Sequence, residues 1–333
     1  MKRVAFVGAG HRAKNYNLPI LKQMANKIKI VGITTKSGNI SAEFDFLEAP
    51  VFSSITKMVF ETKPDIIIVA IKSSVVSSVL DELLHLKVPF LIETTDDFSV
   101  YDKIKQTARA PVGVLEQWPH MPMEQFKKRL LTAGAIGDVV AVENNFRTYD
   151  YHGAAQIRNY LPVKATVAGL QGFTNTFKAG SYINKNKEHV KSSFERMRIK
   201  TGVFENGTLL IYKFSDKHKN MPFRGNCTLN VYGTRGSIVS DCLVDGYCDI
   251  NVLDTSTRQT HNLKINKEFE GNTIKKISTK LPNGEQIVWK NNYKNLSEHQ
   301  IATAHLFEEM LYKNNFIYDA NDAIQDMIIA YSN

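Results

Sequence analysis

The N-terminal stretch RVAFVGAGHRA, residues 3–13, decides the fold of the first domain. An apolar run, Val4 to Val7, ends in Gly8-Ala9-Gly10, and Ala13 follows three residues later. In a dinucleotide-binding loop the first glycine permits a tight turn, the second lets the backbone approach a pyrophosphate, and a small third residue allows close helix–strand packing. The spacing therefore predicts such a loop, followed by a helix whose free N–H groups point at the phosphates. The alternative is an ordinary strand-to-helix turn.

The segments after this loop alternate between strand and helix patterns. Apolar runs at 27–35, 65–71, 89–94 and 111–117 are separated by helix-like segments. Repeated strand–helix–strand units give a parallel, doubly wound sheet. We therefore expect an α/β chain in which residues 1–120 form a Rossmann dinucleotide-binding domain.

The pattern changes from about residue 122. Asn-Gly pairs at 206–207 and 283–284 are typical of hairpin turns. Helix patterns stand at 123–137, 153–161, 297–313 and 320–331. This order predicts a second domain, residues 121–333, of the α+β class, built on an open, mainly antiparallel sheet.

Composition limits the partners. The chain has 333 residues, is 43% hydrophobic and carries a formal net charge of +9. No apolar run approaches the ~20 residues that span a bilayer, so we expect no membrane segment. Nucleic-acid binding is one interpretation of the charge, but the basic residues are scattered, and we favour a generally basic surface that suits an anionic ligand. Three cysteines without a C-x-x-C pair argue against disulfides and a metal site and favour the cytoplasm.

The end of the second predicted strand bears on the choice of cofactor. An NAD site has Asp or Glu at this position to accept from the ribose hydroxyls. Here the strand ends in Thr34-Thr35-Lys36-Ser37, and no carboxylate follows before Glu43. Hydroxyl groups beside a cation suit a 2′-phosphate, so NADP is favoured over NAD, and His11 and Arg12 are expected to join the loop at the phosphates. Alternatively, Lys36 is a solvated loop lysine.

The chain resembles the Gfo/Idh/MocA oxidoreductases, a family of NAD(P)-dependent reductases and dehydrogenases. The resemblance rests on "VAFVGAGHRA", "DIIIVAI", "VPFLIETT", "KKRLLTAGAIGDVVAVE", "GVFENGTLLIYKFS", "LNVYGTRGSIVSD" and the last helices, in that order. It implies an N-terminal Rossmann domain and a C-terminal α+β domain, residues 121–333, that binds substrate and mediates oligomerisation. It also implies a small-molecule substrate and a homodimer or homotetramer.

The family's catalytic residues are only partly kept. Its usual Glu-Lys-Pro is Glu93-Thr94-Thr95 here. Glu93 matches, but the lysine position is Thr94, whose hydroxyl can hydrogen-bond a substrate but cannot donate a proton usefully at neutral pH. The resemblance also implies that Gln117 lies near the nicotinamide or substrate, and that the backbone of Ala70, Ile71 and Ser73 contacts the cofactor.

The family's histidine position is His152, our first candidate for proton donor, because imidazole titrates near neutral pH. Asp150, Tyr149 or Tyr151 is expected to assist it. The alternative is a structural histidine that caps the helix beginning at Gly153. His120 is a second candidate, and its alternative is a loop histidine.

Two functions remain open. One is an NADP-dependent reductase that transfers a hydride to a C=O or C=N group of a small metabolite. The other is a non-catalytic dinucleotide-binding sensor of the same fold, which the loss of the lysine favours.

Overall fold

A computed structural model of the chain describes residues 1–146, 148–162, 165–178, 180–183, 188–191, 194–215, 228–241, 243 and 246–332. The chain forms two compact units. Unit 1 comprises residues 1–120, 271–273 and 293–324, and unit 2 comprises 121–270, 274–292 and 325–333. The sequence predicts one boundary, after residue 120. The structure has a boundary there too, but it also returns 293–324 to the first unit.

Unit 1 is built on a six-stranded parallel sheet in the order β3-β2-β1-β4-β5-β6. Its strands are β1 Lys2–Val7, β2 Ile28–Thr34, β3 Val51–Phe52, β4 Ile66–Val69, β5 Phe90–Glu93 and β6 Val112–Leu115. The order reverses direction between β1 and β4. In doubly wound sheets, ligands bind at the carboxyl ends of the strands beside this switch point.

Burial explains why these segments form a covered parallel sheet. All residues of β4, β5 and β6 are buried, as expected for strands that are covered on both faces. The helices of this region are α1 Leu18–Gln23, α2 Ile55–Thr62, α3 Ser73–His85 and α4 Phe98–Thr107. α2 and α4 are capped by Ser54 and Asp97, the residues just before them, whose side chains accept hydrogen bonds from backbone N–H groups of the first turn.

A π-helical segment, Ala13–Asn17, precedes α1. Pro19 has no N–H to donate to the carbonyl of Asn15 four residues earlier, and the side chain of Gln300 donates to that carbonyl instead, at 2.8 Å. Gln300 lies on α7, Glu298–Phe307, which begins with a capping box at Ser297. A π-helical segment, Glu308–Tyr312, and α8, Ala320–Tyr331, follow.

Unit 2 is built on an eight-stranded sheet in the order β16-β15-β14-β13-β7-β12-β11-β8. Only β7 and β12 pair in parallel; the other neighbours pair antiparallel. Its strands are β7 Val139–Phe146, β8 Val167–Lys178, β11 Phe194–Phe204, β12 Leu209–Ser215, β13 Thr228–Gly233, β14 Gly236–Ser240, β15 Cys248–Asp254 and β16 Gln259–Asn262. The predicted fold class is confirmed: a Rossmann-like parallel sheet and a mainly antiparallel one.

Smaller elements complete the described parts of the chain. β9 Tyr182–Ile183 pairs with β10 His189–Val190, and a three-stranded sheet consists of β17 Asn266–Glu270, β18 Thr273–Lys280 and β19 Gln286–Lys290. Two helices of unit 2 are α5 Pro122–Thr132 and α6 Asp150–Arg158. Gly207 and Gly284 have φ values of 84° and 90°, so both predicted Asn-Gly turns are confirmed.

The described helices include none that is long and apolar enough to cross a membrane. Cys227 and Cys242 lie outside the described residues, whereas Cys248 on β15 is a free thiol. Burial raises the pKa of the Cys248 thiol to about 11, which disfavours the reactive thiolate at neutral pH.

Candidate functional site

The glycine loop lies at the carboxyl end of β1, beside the switch point. Gly8 has φ 94°, and a Cβ atom built on it would lie 2.5 Å from Ile71 Cγ2 and 2.8 Å from the Ala70 carbonyl oxygen. Gly10 is exposed, and a Cβ built on it would meet nothing within 4 Å. The first glycine is therefore required by the fold, whereas the second borders open space into which a phosphate could fit.

The residues after the second glycine start the helix that supplies N–H groups. The N–H of Lys14 donates to the Gly10 carbonyl at 2.9 Å, so the N–H groups of His11, Arg12 and Ala13 precede the first bond of the helix. Ala13 is fully buried and His11 is exposed. The loop thus fits the pyrophosphate of a dinucleotide.

The side chain of Arg12 lies elsewhere than predicted. Its Nε donates to Glu93 Oε1 at 2.9 Å and its Nη2 donates to Gln117 Oε1 at 3.2 Å. The guanidinium carbon stands 4.3 Å from the ring centroid of Tyr16. Arg12 therefore joins the ends of β5 and β6 rather than extending freely at the phosphate loop. We call Arg12, Glu93 and Gln117 the polar clasp.

The end of β2 carries an available cation. Lys36 and Ser37 are exposed and Thr35 is partly exposed. Thr35 Oγ1 donates to the Asn39 carbonyl at 3.0 Å. Within the described part of the chain, Lys36 makes no hydrogen bond or ion pair.

The first carboxylate after β2, Glu43, is already paired. Lys14 forms an ion pair with it, and Ser41 Oγ donates to it at 2.8 Å. Hydrogen bonds from Lys14 and then Ser41 lower the pKa of Glu43. Glu43 is therefore a charged group that Lys14 neutralises, in contrast to Lys36.

The end of β4 packs directly under the loop. The N–H of Ala70 donates to the Val7 carbonyl at 2.8 Å, and Ile71 Cγ2 lies against Gly8. Ser73 is the first residue of α3. The structure therefore brings Ala70 and Ile71 to the glycine loop, as their predicted contacts with a cofactor require.

The ends of β5 and β6 carry the remaining candidates of unit 1. Thr94 is partly exposed beside Glu93, whereas Thr95 is buried and its N–H donates to the Tyr101 hydroxyl at 2.9 Å. His120 ends a 3-10 turn, Trp118–His120, and is partly exposed. Trp118 is 5% exposed and packs edge-on against His299 at a ring distance of 4.9 Å, so this tryptophan anchors the core of unit 1.

His152 lies in unit 2, within the first turn of α6. The predicted helix began at Gly153, but α6 begins at Asp150. His152 is 6% exposed, and its ring centroid lies 4.4 Å from that of Tyr151 and 5.9 Å from that of Tyr149. Tyr149 is 54% exposed. His152 is thus buried beside the exposed Tyr149, and His152, Tyr149 and Tyr151 form an aromatic cluster, which we call the His152 cluster.

Asp150 faces a different partner from the predicted one. Its Oδ2 accepts from Arg198 Nη2 at 2.6 Å, and its backbone carbonyl accepts from the Tyr212 hydroxyl at 2.6 Å. Asp150 as a whole residue is 3% exposed. Asp150 therefore fixes the start of α6 to β11 and β12, which positions His152 through the backbone.

Sequence reasoning missed the basic side chains of β11. Arg198 Nη1 and Lys200 Nζ both donate to the Ala330 carbonyl, at 2.8 and 2.9 Å. Burial, and then the charge of Arg198, lower the pKa of Lys200 to about 8. The alternation Arg196-Met-Arg198-Ile-Lys200 was the available signal, because alternate residues of a strand share one face.

No cluster of three or more His, Cys, Asp or Glu residues in the described part of the chain is arranged to hold a metal ion. The candidate residues fall into two groups, one in each unit: the glycine loop, Lys36 and the polar clasp in unit 1, and the His152 cluster in unit 2.

The first part of unit 1 is similar to a known protein family. Residues 2–95 match the Gfo/Idh/MocA model, which describes an oxidoreductase family with an NAD-binding Rossmann fold. A search of curated proteins finds no significant match.

Solved structures share the fold of the whole chain. UDP-N-acetylglucosamine 3-dehydrogenase GnnA from Acidithiobacillus ferrooxidans is 13% identical, with a TM-score of 0.64 over 98% of this chain and 95% of that one. An oxidoreductase from Agrobacterium radiobacter, in complex with NAD+, L-tartaric acid and magnesium, is 14% identical, with a TM-score of 0.65 over 99% and 94%. The transcriptional regulator Gal80p from Kluyveromyces lactis is 13% identical, with a TM-score of 0.64 over 98% and 90%. The resemblance to the Gfo/Idh/MocA oxidoreductases is confirmed.

Proposed function

We propose that this chain, whose first unit is a Gfo/Idh/MocA Rossmann domain, is an NADP-dependent reductase of a C=O or C=N group in a small metabolite. The observation that carries the proposal is the pairing of charges beyond β2. Glu43 is neutralised by Lys14, whereas Lys36 is exposed and unpaired within the described residues. An unpaired cation beside Thr35 and Ser37 favours a 2′-phosphate over two free ribose hydroxyls.

The chain's own residues would hold the cofactor at three points. Gly10 leaves room for the pyrophosphate, the N–H groups of His11, Arg12 and Ala13 point from the helix start, and Lys36 takes the 2′-phosphate. The nicotinamide, when bound, supplies the hydride. Orientation and electrostatic complementarity are what the protein contributes to such a reaction.

Proton transfer is assigned to His152. Thr94 cannot donate a proton usefully at neutral pH, whereas imidazole can. Asp150 and Arg198 hold the helix that carries His152, and Tyr149 is exposed beside it. Tyr149 would bind substrate and Asp150 would position the histidine.

Turnover tests this assignment. NADPH oxidation is followed with a panel of keto and imine compounds. We expect His152→Ala to lower kcat by about 10²- to 10³-fold and to leave the Kd for NADPH unchanged, because His152 is not among the residues that hold the dinucleotide. His120→Ala is the matched control and should keep most activity. Loss of activity in His120→Ala alone would move the proton donor to His120.

A dinucleotide-binding sensor is the second candidate. Thr94 in place of the family's lysine favours it, and the fold is shared with a transcriptional regulator. NADPH binding without turnover of any compound in the panel, and with no effect of His152→Ala, would support this function over catalysis.

Self-association through the sheet of unit 2 belongs to the same proposal. On the face that carries Glu143 and Lys213, joined by an ion pair of 2.7 Å, Phe173 and Leu209 are 57% and 55% exposed. Sedimentation is expected to show a dimer or tetramer.

The cytoplasm is the proposed location, because three cysteines without a C-x-x-C pair favour a reducing compartment.

A further inference from the structure

Arg12 reaches away from the phosphate loop. It follows β1 in the chain, but its guanidinium contacts Glu93 at the end of β5 and Gln117 beyond β6. Because β4 lies between β1 and β5 and neighbouring strands are ~4.8 Å apart, the ends of β1 and β5 stand about 10 Å apart, and the loop backbone and the Arg12 side chain together cover this distance. A Rossmann domain places the adenosine ribose at the end of β2. The polar clasp therefore lies on the side of the glycine loop away from β2. The nicotinamide half of a dinucleotide extends toward that side.

The charges of the clasp match a neutral ligand. Arg12 and Glu93 form an ion pair whose side chains are 22% and 11% exposed. Within a partly buried site, this pair has no net charge, so a phosphate placed there would add an uncompensated negative charge. Arg12 is thus poorly suited to the pyrophosphate role that its position in the sequence predicted.

The hydrogen-bonding groups of the clasp match an amide. A guanidinium has five N–H donors, and among the described residues Arg12 uses two, toward Glu93 and Gln117. Carboxylate and side-chain amide oxygens lie directly beside its remaining donors. A primary carboxamide presents a carbonyl acceptor and an NH₂ donor together and is uncharged.

We propose that the polar clasp binds the carboxamide of the nicotinamide, with Arg12 donating to its carbonyl oxygen. The Tyr16 ring, 4.3 Å from the guanidinium carbon, holds the guanidinium plane. This inference rests on the proposed function, because it requires that the loop bind a nicotinamide dinucleotide.

Two ligands separate this role from a phosphate role. NADPH contains the carboxamide, whereas 2′-phospho-ADP-ribose contains the same phosphates and lacks the nicotinamide. Titration calorimetry gives Kd values for both. We expect Arg12→Met to weaken NADPH about tenfold, as for a charge-assisted hydrogen bond, and to change the Kd of 2′-phospho-ADP-ribose less than twofold.

Lys36→Met is the matched control, because it removes one positive charge from the same unit. It should weaken both ligands by the same factor. The double variant Arg12→Met/Glu93→Gln also removes the negative charge that faces Arg12, and it should show the same selective loss of NADPH affinity.

Equal weakening of both ligands by Arg12→Met would place Arg12 on the pyrophosphate and overturn the inference. An unchanged Kd for both ligands in the folded double variant would also overturn it. Failure of the wild-type protein to bind either ligand would instead overturn the proposed function, and this inference with it.

Discussion

At the scale of single residues, Gly8 and Gly10 stand two positions apart but have different surroundings. A side chain at Gly8 would meet Ile71 and the Ala70 carbonyl, and its φ of 94° is unfavourable for any L-residue. We expect Gly8→Ala to lower the free energy of unfolding by about 3 kcal/mol, from backbone strain and overpacking together. Urea denaturation measures this change.

Gly10→Ala is the matched variant at the residue scale. Its added methyl group meets nothing within 4 Å, so stability should change by less than about 1 kcal/mol. The methyl group enters the space assigned to the pyrophosphate, and NADPH binding should weaken more than tenfold. Unchanged NADPH affinity in Gly10→Ala would show that the phosphates lie elsewhere.

At the scale of elements, β11 holds two helices through its basic residues. Arg198 joins Asp150, at the start of α6, to the Ala330 carbonyl near the end of α8. Removal of Arg198 leaves the buried Asp150 carboxylate without its ion-pair partner. We expect Arg198→Met to cost about 3 kcal/mol of stability, measured by urea denaturation. The control Arg196→Met, at an exposed position of the same strand, should cost less than about 1 kcal/mol. Equal costs for the two variants would contradict this account.

Lys200, also on β11, gives a pH dependence. Burial lowers its pKa from 10.5 to about 8, so between these values the unfolded chain binds more protons than the folded one. Stability from this group therefore increases as pH rises from about 8 to 10.5, by at most about 3 kcal/mol. The stability of the wild type minus that of Lys200→Met should increase over this range. A flat or falling difference would contradict the assignment.

The elements that the sequence predicts are those with a strong hydrophobic pattern or a clear turn motif. Buried runs such as 66–69 and Asn-Gly turns were identified. β8 was not, because most of its residues on both faces are exposed, so its apolar residues do not alternate. The π-helical segment before α1 was missed because it depends on Pro19 together with Gln300, 281 residues further along the chain.

The candidate site, too, is predictable from the sequence only where local signals define it. Its glycine loop and Lys36 follow from local spacing and chemistry. The partners of Arg12 do not, because Glu93 and Gln117 reach it only through the strand order β1-β4-β5-β6. Likewise, the pairing of Asp150 with Arg198 depends on α6 packing against β11, which no local pattern indicates.

At the scale of the whole molecule, the chain leaves unit 1 after residue 120 and returns to it at 271–273 and 293–324. The returning segment contributes α7, whose Gln300 supports the helix after the glycine loop. The candidate dinucleotide site of unit 1 therefore depends on residues from both the first and the last third of the sequence. Residues 1–120 alone would lack this support, which local patterns in the first third cannot reveal.

The most direct test of the central claim, that unit 1 binds NADP through Lys36, is a pair of dissociation constants. Fluorescence titration of the full chain with NADPH and NADH gives both values, for the wild type and for Lys36→Ala. We expect the wild type to bind NADPH at least tenfold more tightly than NADH, because only NADPH offers a 2′-phosphate to the cation. Lys36→Ala should remove most of this difference and leave the NADH value unchanged. Tighter binding of NADH by the wild type, or no binding of either dinucleotide, would contradict the account.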